Sequence, residues 1–449
     1  MQDSTGASAD SNISKLDVKP RIIPRAEHNV SRDNISPNAL KVLYRLKNAG
    51  FQAYMVGGGV RDLLLGREPK DFDVVTDALP EQVRELFRNC RLIGRRFRLA
   101  HVRFGQEIIE VSTFRATVDA EEVEDESREG RILRDNVYGS VDEDVWRRDF
   151  TVNALLYNIE DFSIVDYVGG LHDIKTGNLR LIGEPERRYR EDPVRMLRAV
   201  RFAVKLGFRI HEDTQKPLPE LAHLLDDIPA ARLFEEFLKL FLSGYAVQTF
   251  EALRHHGLFA YLFPQTEASL SAQEGGFPHT FAIRALANTD QRLAENKPVT
   301  PAFLIAALLW DPLRQQSEAY VAEGMNTHQA QQLASDDVVS KQIASIALPR
   351  RFTLVAKDIW ALQARLEAQA GRQGKRATKL LTHPRFRAAY DFLLLRAAAG
   401  EPVQDIAEFW TELQVDMPAV PDREEDPRSP RRRRRRGGRR RQSKPDNDS

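Results

Sequence analysis

Apolar residues change their spacing along the chain near residue 170, and this change divides the sequence into two kinds of region. Before residue 170, short apolar runs typical of strands alternate with segments in which apolar residues recur at helical spacing. After residue 170 the helical spacing continues, and clear strand signals are absent. The pattern therefore predicts an α+β region followed by a long all-α region.

The same pattern places individual elements. Strands are expected at 53–56, 71–75, 91–93, 100–104 and 108–113, and helices at 39–49, 60–65 and 80–89. In the second region, helices are expected at 192–206, 230–242, 249–262, 302–309, 358–370 and 385–399. Ser36 followed by Pro37 predicts the start of the first helix, because serine caps helices and proline fits the first turn.

Composition excludes several classes of protein. The chain has 449 residues, of which 42% are hydrophobic, so it can bury the cores of several domains. Its one cysteine, Cys90, cannot form an internal disulfide, which favours a reducing, cytoplasmic compartment. No apolar run approaches the ~20 residues of a membrane span. Residues 1–14 also lack the apolar core of a signal peptide.

The net charge of +1 hides a strong asymmetry. Residues 428–449 contain ten arginines and one lysine against two aspartates, a charge of +9, so the other 427 residues carry −8. Arginines without core-forming residues cannot fold alone, and we expect a disordered tail here. So dense a cationic run predicts binding to a polyanion.

Asp71 and Asp73 form the first candidate for chemistry. On the predicted strand 71–75, residues two apart point to the same face, so both carboxylates would project together while Phe72 turns into the core. Two such carboxylates repel each other unless a cation lies between them, and hard oxygen ligands suit Mg²⁺. A pair of this kind is also common on surface strands that bind no metal.

Three glycines, Gly57, Gly58 and Gly59, lie between a predicted strand and a predicted helix upstream of this pair. Glycines let a phosphate approach the backbone, and the start of a helix offers free N–H groups. Arg61 would add a charged contact from the first turn. The glycines could equally serve only a tight turn that needs positive φ.

Four ordered motifs together resemble those of the class II nucleotidyltransferase family, which contains bacterial poly(A) polymerases and CCA-adding tRNA nucleotidyltransferases. The motifs are the glycine-rich segment 56–66 with Lys70–Asp73, the strand 110–115, the segment 147–154 and the segment 191–198 with Arg201. The resemblance covers about residues 50–245 and implies an enzyme that transfers nucleotides to RNA 3′ ends.

The resemblance also implies a role for each matching residue. Asp71, Asp73 and Asp149 would be catalytic, and Asp71, Asp73 and Glu110 would bind two Mg²⁺ ions. The residues expected to bind the nucleotide, ATP in a poly(A) polymerase, are Gly58, Gly59, Arg61, Arg148, Asp192, Arg195, Arg198 and Arg201. Arg148 and Asp149 could alternatively form a structural ion pair at a helix start.

The helix expected after Asp192 has one cationic face, because Arg195, Arg198, Arg201 and Lys205 are spaced three, three and four residues apart. Asp192 precedes a proline, so it is also a good N-cap. The family resemblance makes Asp192 and Arg195 a protein template for the base edge. Both roles are compatible if the second carboxylate oxygen of Asp192 faces the nucleotide.

Two features favour the poly(A) polymerases over the CCA-adding enzymes. The segment 92–102 resembles one typical of bacterial poly(A) polymerases, and so does the arginine-rich end. The residues expected to bind RNA are Arg95, Arg96 and Arg98 near the acidic pair, Arg372, Lys375, Arg376 and Lys379 in the helical region, and Arg431, Arg432, Arg433, Arg434, Arg435, Arg436, Arg439, Arg440 and Arg441 in the tail. Trp360 and Trp410 are expected in the core.

The predicted organisation is an α+β multidomain chain. It consists of a mostly disordered segment at 1–35, a nucleotidyltransferase head with a small mixed sheet at 36–170, a helical neck at 171–262, a helical body at 263–416 and a disordered Arg-rich tail at 417–449. The predicted function is template-independent addition of AMP from ATP to RNA 3′ ends in the cytoplasm. RNA-decay or RNA-chaperone proteins are possible partners. The alternatives are a CCA-adding enzyme and an RNA-binding protein with an inactive head.

Overall fold

The computed structural model describes residues 19–94, 98–116, 137–272, 280–372 and 375–415. In this part of the chain, one mixed sheet of eight strands forms the first region, in the order β1-β8-β7-β2-β3-β6-β5-β4. The strands are β1 (Arg21–Ile23), β2 (Ala53–Val56), β3 (Asp73–Thr76), β4 (Cys90–Ile93), β5 (Leu99–Phe104), β6 (Glu107–Thr113), β7 (Leu156–Asn158) and β8 (Ile164–Asp166).

Inside this sheet, the neighbours β3 and β6 run parallel, whereas the other neighbouring strands are antiparallel. Val74 and Val75 on β3 are both fully buried, so the strand is covered on both faces. The register pairs Asp73 with Glu110, at the point where β3 begins. The fold therefore places two acidic residues, 37 positions apart in sequence, side by side.

Helices cover the sheet. They are α1 (Pro37–Asn48), α2 (Gly58–Leu64), α3 (Pro80–Leu86), α4 (Val141–Trp146) and α5 (Gly170–Thr176), with single 3₁₀ turns at Arg25–Glu27, Arg32–Asn34 and Thr151–Asn153. The hydroxyl of Ser36 accepts a hydrogen bond from the Asn38 N–H, and Pro37 occupies the first turn, as the sequence predicts. The buried residues of α1, including Val42 and Leu46, lie on the face predicted by the helical spacing.

The second region is almost entirely helical. Its helices are α6 (Pro185–Glu191), α7 (Val194–Leu206), α8 (Glu212–Gln215), α9 (Leu218–Leu221), α10 (Ala230–Phe241), α11 (Ala246–His255), α12 (Phe259–Leu262), α13 (Pro264–Ala272), α14 (Thr280–Ala294), α15 (Pro301–Leu308), α16 (Trp310–Ala322), α17 (Thr327–Ser345), α18 (Arg350–Gln369), α19 (Lys375–Leu381), α20 (Phe386–Ala398) and α21 (Gln404–Val415). A 3₁₀ segment spans Ala222–Asp227. In the described ranges, no helix combines the length and the apolar character that crossing a membrane requires.

The predicted fold class is confirmed, with corrections to single elements. The strand predicted at 71–75 begins at Asp73, so Asp71 lies in the preceding loop and Phe72 is only partly buried. The two-residue strands β9 (Asn178–Leu179) and β10 (Arg209–Ile210) form a parallel pair after residue 170, where no strand was expected. The helix predicted at 249–262 is two helices, because Gly257 between them adopts a φ of +71°.

One apolar cluster connects the sheet to the helices. It runs from Ile23 on β1 through Leu197 on α7 to Phe392 on α20. A second apolar cluster, around Trp410, is formed by residues from the C-terminal part of α18 and from α19, α20 and α21. Trp360 and Trp410 are both fully buried, which confirms their predicted place in the core.

Candidate active site

Three carboxylates lie near the start of β3. Asp73 is the first residue of β3, Glu110 is its partner in register on β6, and Asp71 is an exposed residue two positions before the strand. Among the described residues, no three His, Cys, Asp or Glu side chains lie close enough to hold a metal as they stand. The register of β3 and β6 fixes the backbone of Asp73 and Glu110 side by side, so their side chains leave the sheet as neighbours.

The electrostatics of Asp73 show that these carboxylates influence one another. Burial and then the charge of Glu110 raise the pKa of Asp73 to about 6, and Asp71 adds to the rise while Arg148 opposes it. Like charges held this close, in a half-buried position, are relieved by a bound cation. The oxygen donors and their mutual repulsion thus fit a divalent metal ion.

His101 is a neighbour that the sequence did not single out. It lies opposite Glu110 in the antiparallel register of β5 and β6, and its Nε2 is 3.0 Å from Oε1 of Glu110. The two atoms are close without meeting the geometry of a hydrogen bond, and the side chain of Glu110 is about half exposed (49%). Only the cross-strand register reveals it, since the two are nine positions apart in sequence.

The glycine turn passes directly beside these acids. Gly57 follows β2 with a φ of +77°, a conformation that glycine adopts readily. A Cβ at this position would lie 3.9 Å from Oδ2 of Asp73 and 4.0 Å from Nη1 of Arg148. A Cβ on Gly59 would approach the Asp71 carbonyl oxygen to 3.3 Å. The turn and the helix α2 after it are therefore packed against the acidic pair, as the order of the motifs suggested.

Arg61 on α2 is buried, with 2% of its surface exposed. Its Nη1 donates to Oδ1 of Asn153 at 2.5 Å, and its Nε donates to Oδ1 of Asp62 at 2.8 Å. These bonds tie the helix after the glycine turn to the 3₁₀ segment of residues 151–153. A contact from Arg61 to a triphosphate stays a prediction, and it would require these donors to be shared or exchanged.

Arg148 is held in place by Asp144, another residue that the sequence reading missed. Asp144 is 1% exposed, and its Oδ2 accepts from Nη2 of Arg148 at 2.7 Å, while its Oδ1 accepts from Arg147. Burial favours the neutral acid, but the two arginines outweigh it and hold the pKa of Asp144 below its usual value. The signal in the sequence was the spacing of four residues between Asp144 and Arg148.

Asp149 connects the sheet region to the helix α7. Its Oδ2 accepts from Nε of Arg198 at 2.8 Å and also from Nη2, and its Oδ1 accepts from the Phe150 N–H at 2.8 Å. Burial opposes ionisation, yet Arg198 and these hydrogen bonds hold the pKa of Asp149 below its ordinary value. Asp149 is therefore a satisfied carboxylate, but its partner is Arg198, while Arg148 pairs with Asp144. The alternative of an ion pair between Arg148 and Asp149 is not what the structure shows, and the catalytic role of Asp149 stays a prediction.

Asp192 uses both of its carboxylate oxygens. Its Oδ1 accepts from the Val194 N–H at 3.2 Å, at the start of α7, and its Oδ2 accepts from Nη2 of Arg232 at 2.7 Å. The helix begins at Val194, with Pro193 at the cap position, so the cap lies one residue later than expected. Arg232, on α10, holds the oxygen that the sequence reading left free for a base.

Arg195 is anchored rather than free. Its Nη1 donates to the carbonyl oxygen of Arg188 at 2.6 Å and lies 3.1 Å from Oε2 of Glu191. Arg188 in turn donates to the carbonyl oxygens of Arg147 and Arg148, at 2.9 and 2.6 Å. A chain of hydrogen bonds therefore joins Arg195 to the segment that carries Arg148.

Cations crowd around Phe202 on α7. The guanidinium groups of Arg61, Arg198 and Arg201 lie 5.5, 5.2 and 4.8 Å from the centre of its ring. Burial lowers the pKa of Arg201, and it also lowers that of Lys205 one turn further along. Buried cations that repel each other favour an anion nearby.

The predicted RNA-binding residues are dispersed. Arg98 pairs with Glu81 near β4. Arg372, Arg376 and Lys379 are exposed at the far end of the helical region. Arg95, Arg96, the side chain of Lys375 and the tail arginines from Arg431 to Arg441 lie outside the described residues, as does the acidic segment 119–129.

Comparison with known proteins covers nearly the whole chain. Three family models match: the poly A polymerase head domain at residues 53–180, a probable RNA- and SrmB-binding site of polymerase A at 207–270, and the polymerase A arginine-rich C-terminus at 323–444. Poly(A) polymerase I of Escherichia coli O157:H7 is 54% identical over 405 residues, which cover 88% of this chain and 86% of that protein. The chain belongs to the poly(A) polymerase family.

Membership in the poly(A) polymerase family makes this chain a nucleotidyltransferase, and it implies a nucleoside triphosphate substrate and a divalent metal ion. The CCA-adding enzyme of Lactobacillus helveticus is 40% identical, but over only 47% of this chain and 52% of that enzyme. The crystal structure of the Bacillus stearothermophilus CCA-adding enzyme in complex with CTP superposes with a TM-score of 0.57 at 27% identity, covering 84% of this chain and 80% of that one. The fold is thus common to both groups, whereas the full-length sequence match is to a poly(A) polymerase.

Proposed function

We propose that this poly(A) polymerase family member adds AMP from ATP to RNA 3′ ends without a template and releases pyrophosphate. The proposal is carried by one observation: Asp73 and Glu110 lie in register beside a positive-φ glycine turn and Arg148. Carboxylates, a glycine turn and a guanidinium at one place are the parts needed to bring a triphosphate and a divalent cation together.

Asp71, Asp73 and Glu110 would hold the metal. Two bound Mg²⁺ ions would supply charge stabilisation for an in-line displacement at the α-phosphate. His101 lies 3.0 Å from Glu110, and burial together with the charge of Glu110 raises the pKa of the half-buried Asp73 to about 6, so a cation bound here would relieve the repulsion. Gly58 and Gly59 would let the triphosphate approach the backbone, with Arg148 near its charge.

Asp192 and Arg195 would read the base edge, and they would share or exchange their present contacts with Arg232 and Glu191 to do so. A carboxylate accepts from an exocyclic amino group and a guanidinium donates to a ring nitrogen, a pattern that adenine and cytosine share. Arg198 and Arg201, whose guanidinium groups lie beside the Phe202 ring, would contact the nucleotide from the same helix. Asp149 would act through Arg198 by fixing α7 relative to the sheet, in addition to the catalytic role predicted for it.

RNA would be held by cations of the head, the helical region and the tail. We propose that Arg98, the helical cations Arg372, Lys375, Arg376 and Lys379, and the tail arginines supply phosphate contacts that do not depend on sequence. A non-specific polymerase must hold many different RNA ends, which such contacts allow. We further propose action in the cytoplasm, with RNA-decay or RNA-chaperone proteins as partners; a family model that includes an SrmB-binding site supports the latter.

A nucleotide-incorporation assay tests the proposal. The purified chain is incubated with Mg²⁺, a generic RNA and each nucleoside triphosphate in turn. Long products made with ATP on RNAs of unrelated sequence are expected. Products that stop after two C and one A and form only on tRNA would instead identify a CCA-adding enzyme. RNA binding without incorporation of any nucleotide would support the alternative hypothesis of an RNA-binding protein with an inactive head.

A further inference from the structure

A groove lies between three helices of the second region, α17, α18 and α19. Its volume is about 770 Å³, comparable to sites that take a nucleotide-sized ligand. None of the carboxylates or arginines of the active site lines it. The groove falls within the segment 323–444 that matches the arginine-rich C-terminus model.

The floor of the groove is made of small apolar side chains. Ala361, Ala364 and Ala368 on α18 are spaced three and four residues apart, so they lie on one face of the helix, and Leu380 on α19 closes the floor. Trp360 beneath them is fully buried and donates its Nε1–H to the Ala306 carbonyl oxygen, so its ring is no stacking platform. Alanine side chains are short and apolar, so this floor, called the slot below, leaves room for a planar ring.

The rim of the groove is cationic. Lys357, Arg365, Arg376 and Lys379 line it against two carboxylates, Asp336 and Asp358. Lys357 and Asp336 pair with each other. Among the described residues, Arg365, Arg376 and Lys379 make no ion pair, and all three are exposed. These three cations are therefore available for anionic groups from outside the chain.

Amide side chains complete the lining. Gln332 on α17 and Gln369 on α18 lie along the walls, and each can donate and accept hydrogen bonds. Gln331 is different, because its amide already donates to the Trp360 carbonyl oxygen. An apolar slot, polar walls and a cationic rim together match an unpaired nucleotide, whose base is planar, whose edge is polar and whose phosphates are anionic.

We propose that this groove holds an unpaired nucleotide of the RNA substrate, upstream of the 3′ end that lies at the active site. The inference rests on the proposed function, since it takes RNA as the substrate. The cationic rim complements the charge of RNA phosphates, which argues for RNA as the occupant. The apolar alanine floor argues that a base enters the groove, because phosphates alone would contact only the rim. An acidic peptide would satisfy the cations but would leave the slot without a ring.

Two variants separate base insertion from charge attraction. Ala361→Trp fills the slot without changing charge, and Ala319→Trp on α16 is its matched control, because both alanines are exposed in helix interiors and only Ala361 lines the groove. The double change Arg365→Glu, Arg376→Glu reverses the rim. Lys341→Glu, at an exposed position of α17 outside the groove, is the control for charge.

The probes are a labelled single-stranded oligoadenylate of about 16 nucleotides and the duplex of the same length. We expect Ala361→Trp to weaken single-strand binding roughly tenfold, to leave duplex binding unchanged, and to raise the KM for RNA by the same factor without changing kcat at saturating RNA. The rim reversal should weaken binding of both probes. Both control variants should behave like the wild type.

The proposal is overturned if Ala361→Trp binds the single strand as the wild type does, even if the rim reversal weakens binding, because phosphates alone would then account for it. It is equally overturned if Ala319→Trp loses as much affinity as Ala361→Trp, or if Ala361→Trp releases a synthetic poly-glutamate peptide but not the RNA. A wild type that binds RNA and incorporates no AMP would refute the proposed function, and the binding measurements would still judge the groove.

Discussion

The junction between the sheet and α7 differs from the groove in the helical region in how charge is used. At the junction, Asp149 is bonded to Arg198 and Asp144 to Arg148, all largely buried. In the groove, Arg365 and Arg376 are exposed and form no ion pair within the described residues. Paired, buried charges fix the positions of side chains, which chemistry requires. Unpaired, exposed cations accept any polyanion, which suits a substrate of varying sequence.

The largest effect is expected at the acids themselves. Asp73→Asn should lower the rate of AMP incorporation roughly 10⁴-fold, because the metal would lose its buried carboxylate ligand. RNA affinity should stay near the wild-type value, since the cations that hold RNA are elsewhere. Single-turnover incorporation and RNA-binding anisotropy measure the two quantities. Asp226→Asn, an exposed position of the neck, is the control. Retention of activity in Asp73→Asn would refute the assignment of the metal site.

The ion pair that joins the two regions should matter most for stability. Arg198→Ala leaves the carboxylate of Asp149 buried without its main partner, so we expect a loss of about 3 kcal/mol in the free energy of unfolding. Arg190→Ala breaks the exposed pair with Glu186, and about 0.5 kcal/mol is expected there. Urea unfolding of both variants gives the comparison. Equal losses would mean that the junction is no more rigid than the surface.

The raised pKa of Asp73 predicts a pH dependence of the metal-free protein. The folded state keeps a proton on Asp73 up to a pKa of about 6, whereas the unfolded value is 3.8, so the folded state binds more protons between these values. Stability should therefore fall as the pH rises through this window, by about 2–3 kcal/mol in total.

The control for this effect is Asp73→Asn, which removes the titration. In buffers with a chelator, the unfolding free energy of the wild type minus that of Asp73→Asn should decrease from about pH 4 to about pH 6 and then level off. A difference that rises with pH would show that Asp73 is held as the ion by a partner instead. Saturating Mg²⁺ should reduce the slope, because the ion favours the charged carboxylate.

The smallest effect is expected from the support of Arg148. Asp144→Asn removes the charge that orients Arg148 but keeps the size of the side chain, and we expect kcat/KM for ATP to fall about tenfold. The KM for RNA should not change. Asp142→Asn, on the same helix, makes neither contact and serves as the control. If Asp142→Asn and Asp144→Asn had the same effect, the loss would be general to the helix.

The sequence predicted local arrangements well. The order of strand, glycine turn, helix and acidic pair is confirmed, because each element is set by signals within a few residues: apolar runs, glycine, a capping serine before proline. The position of Glu110 beside Asp73 was implied by family resemblance and is confirmed as a register pair. The pattern of charged residues in the sequence alone would not have indicated that Glu110 lies beside Asp73.

The missed features depend on contacts between distant residues. Arg61 was expected to face the triphosphate, but Asn153, 92 residues away, binds its guanidinium. Arg232 lies on another helix, and no local pattern indicates that its guanidinium donates to the carboxylate of Asp192. Strands β1, β7 and β8 were overlooked because three residues are too few to show a period, and partners in the sheet stabilise them.

The apolar cluster that runs from Ile23 to Phe392 has a consequence for modularity. A fragment ending near residue 170 would keep the acids but would expose the faces that Leu197 and its neighbours cover. The region that carries the acidic residues is therefore not expected to fold as an independent domain that could be fused to another RNA-binding protein. Exchanges between relatives should therefore succeed only when the whole of this first cluster comes from one parent.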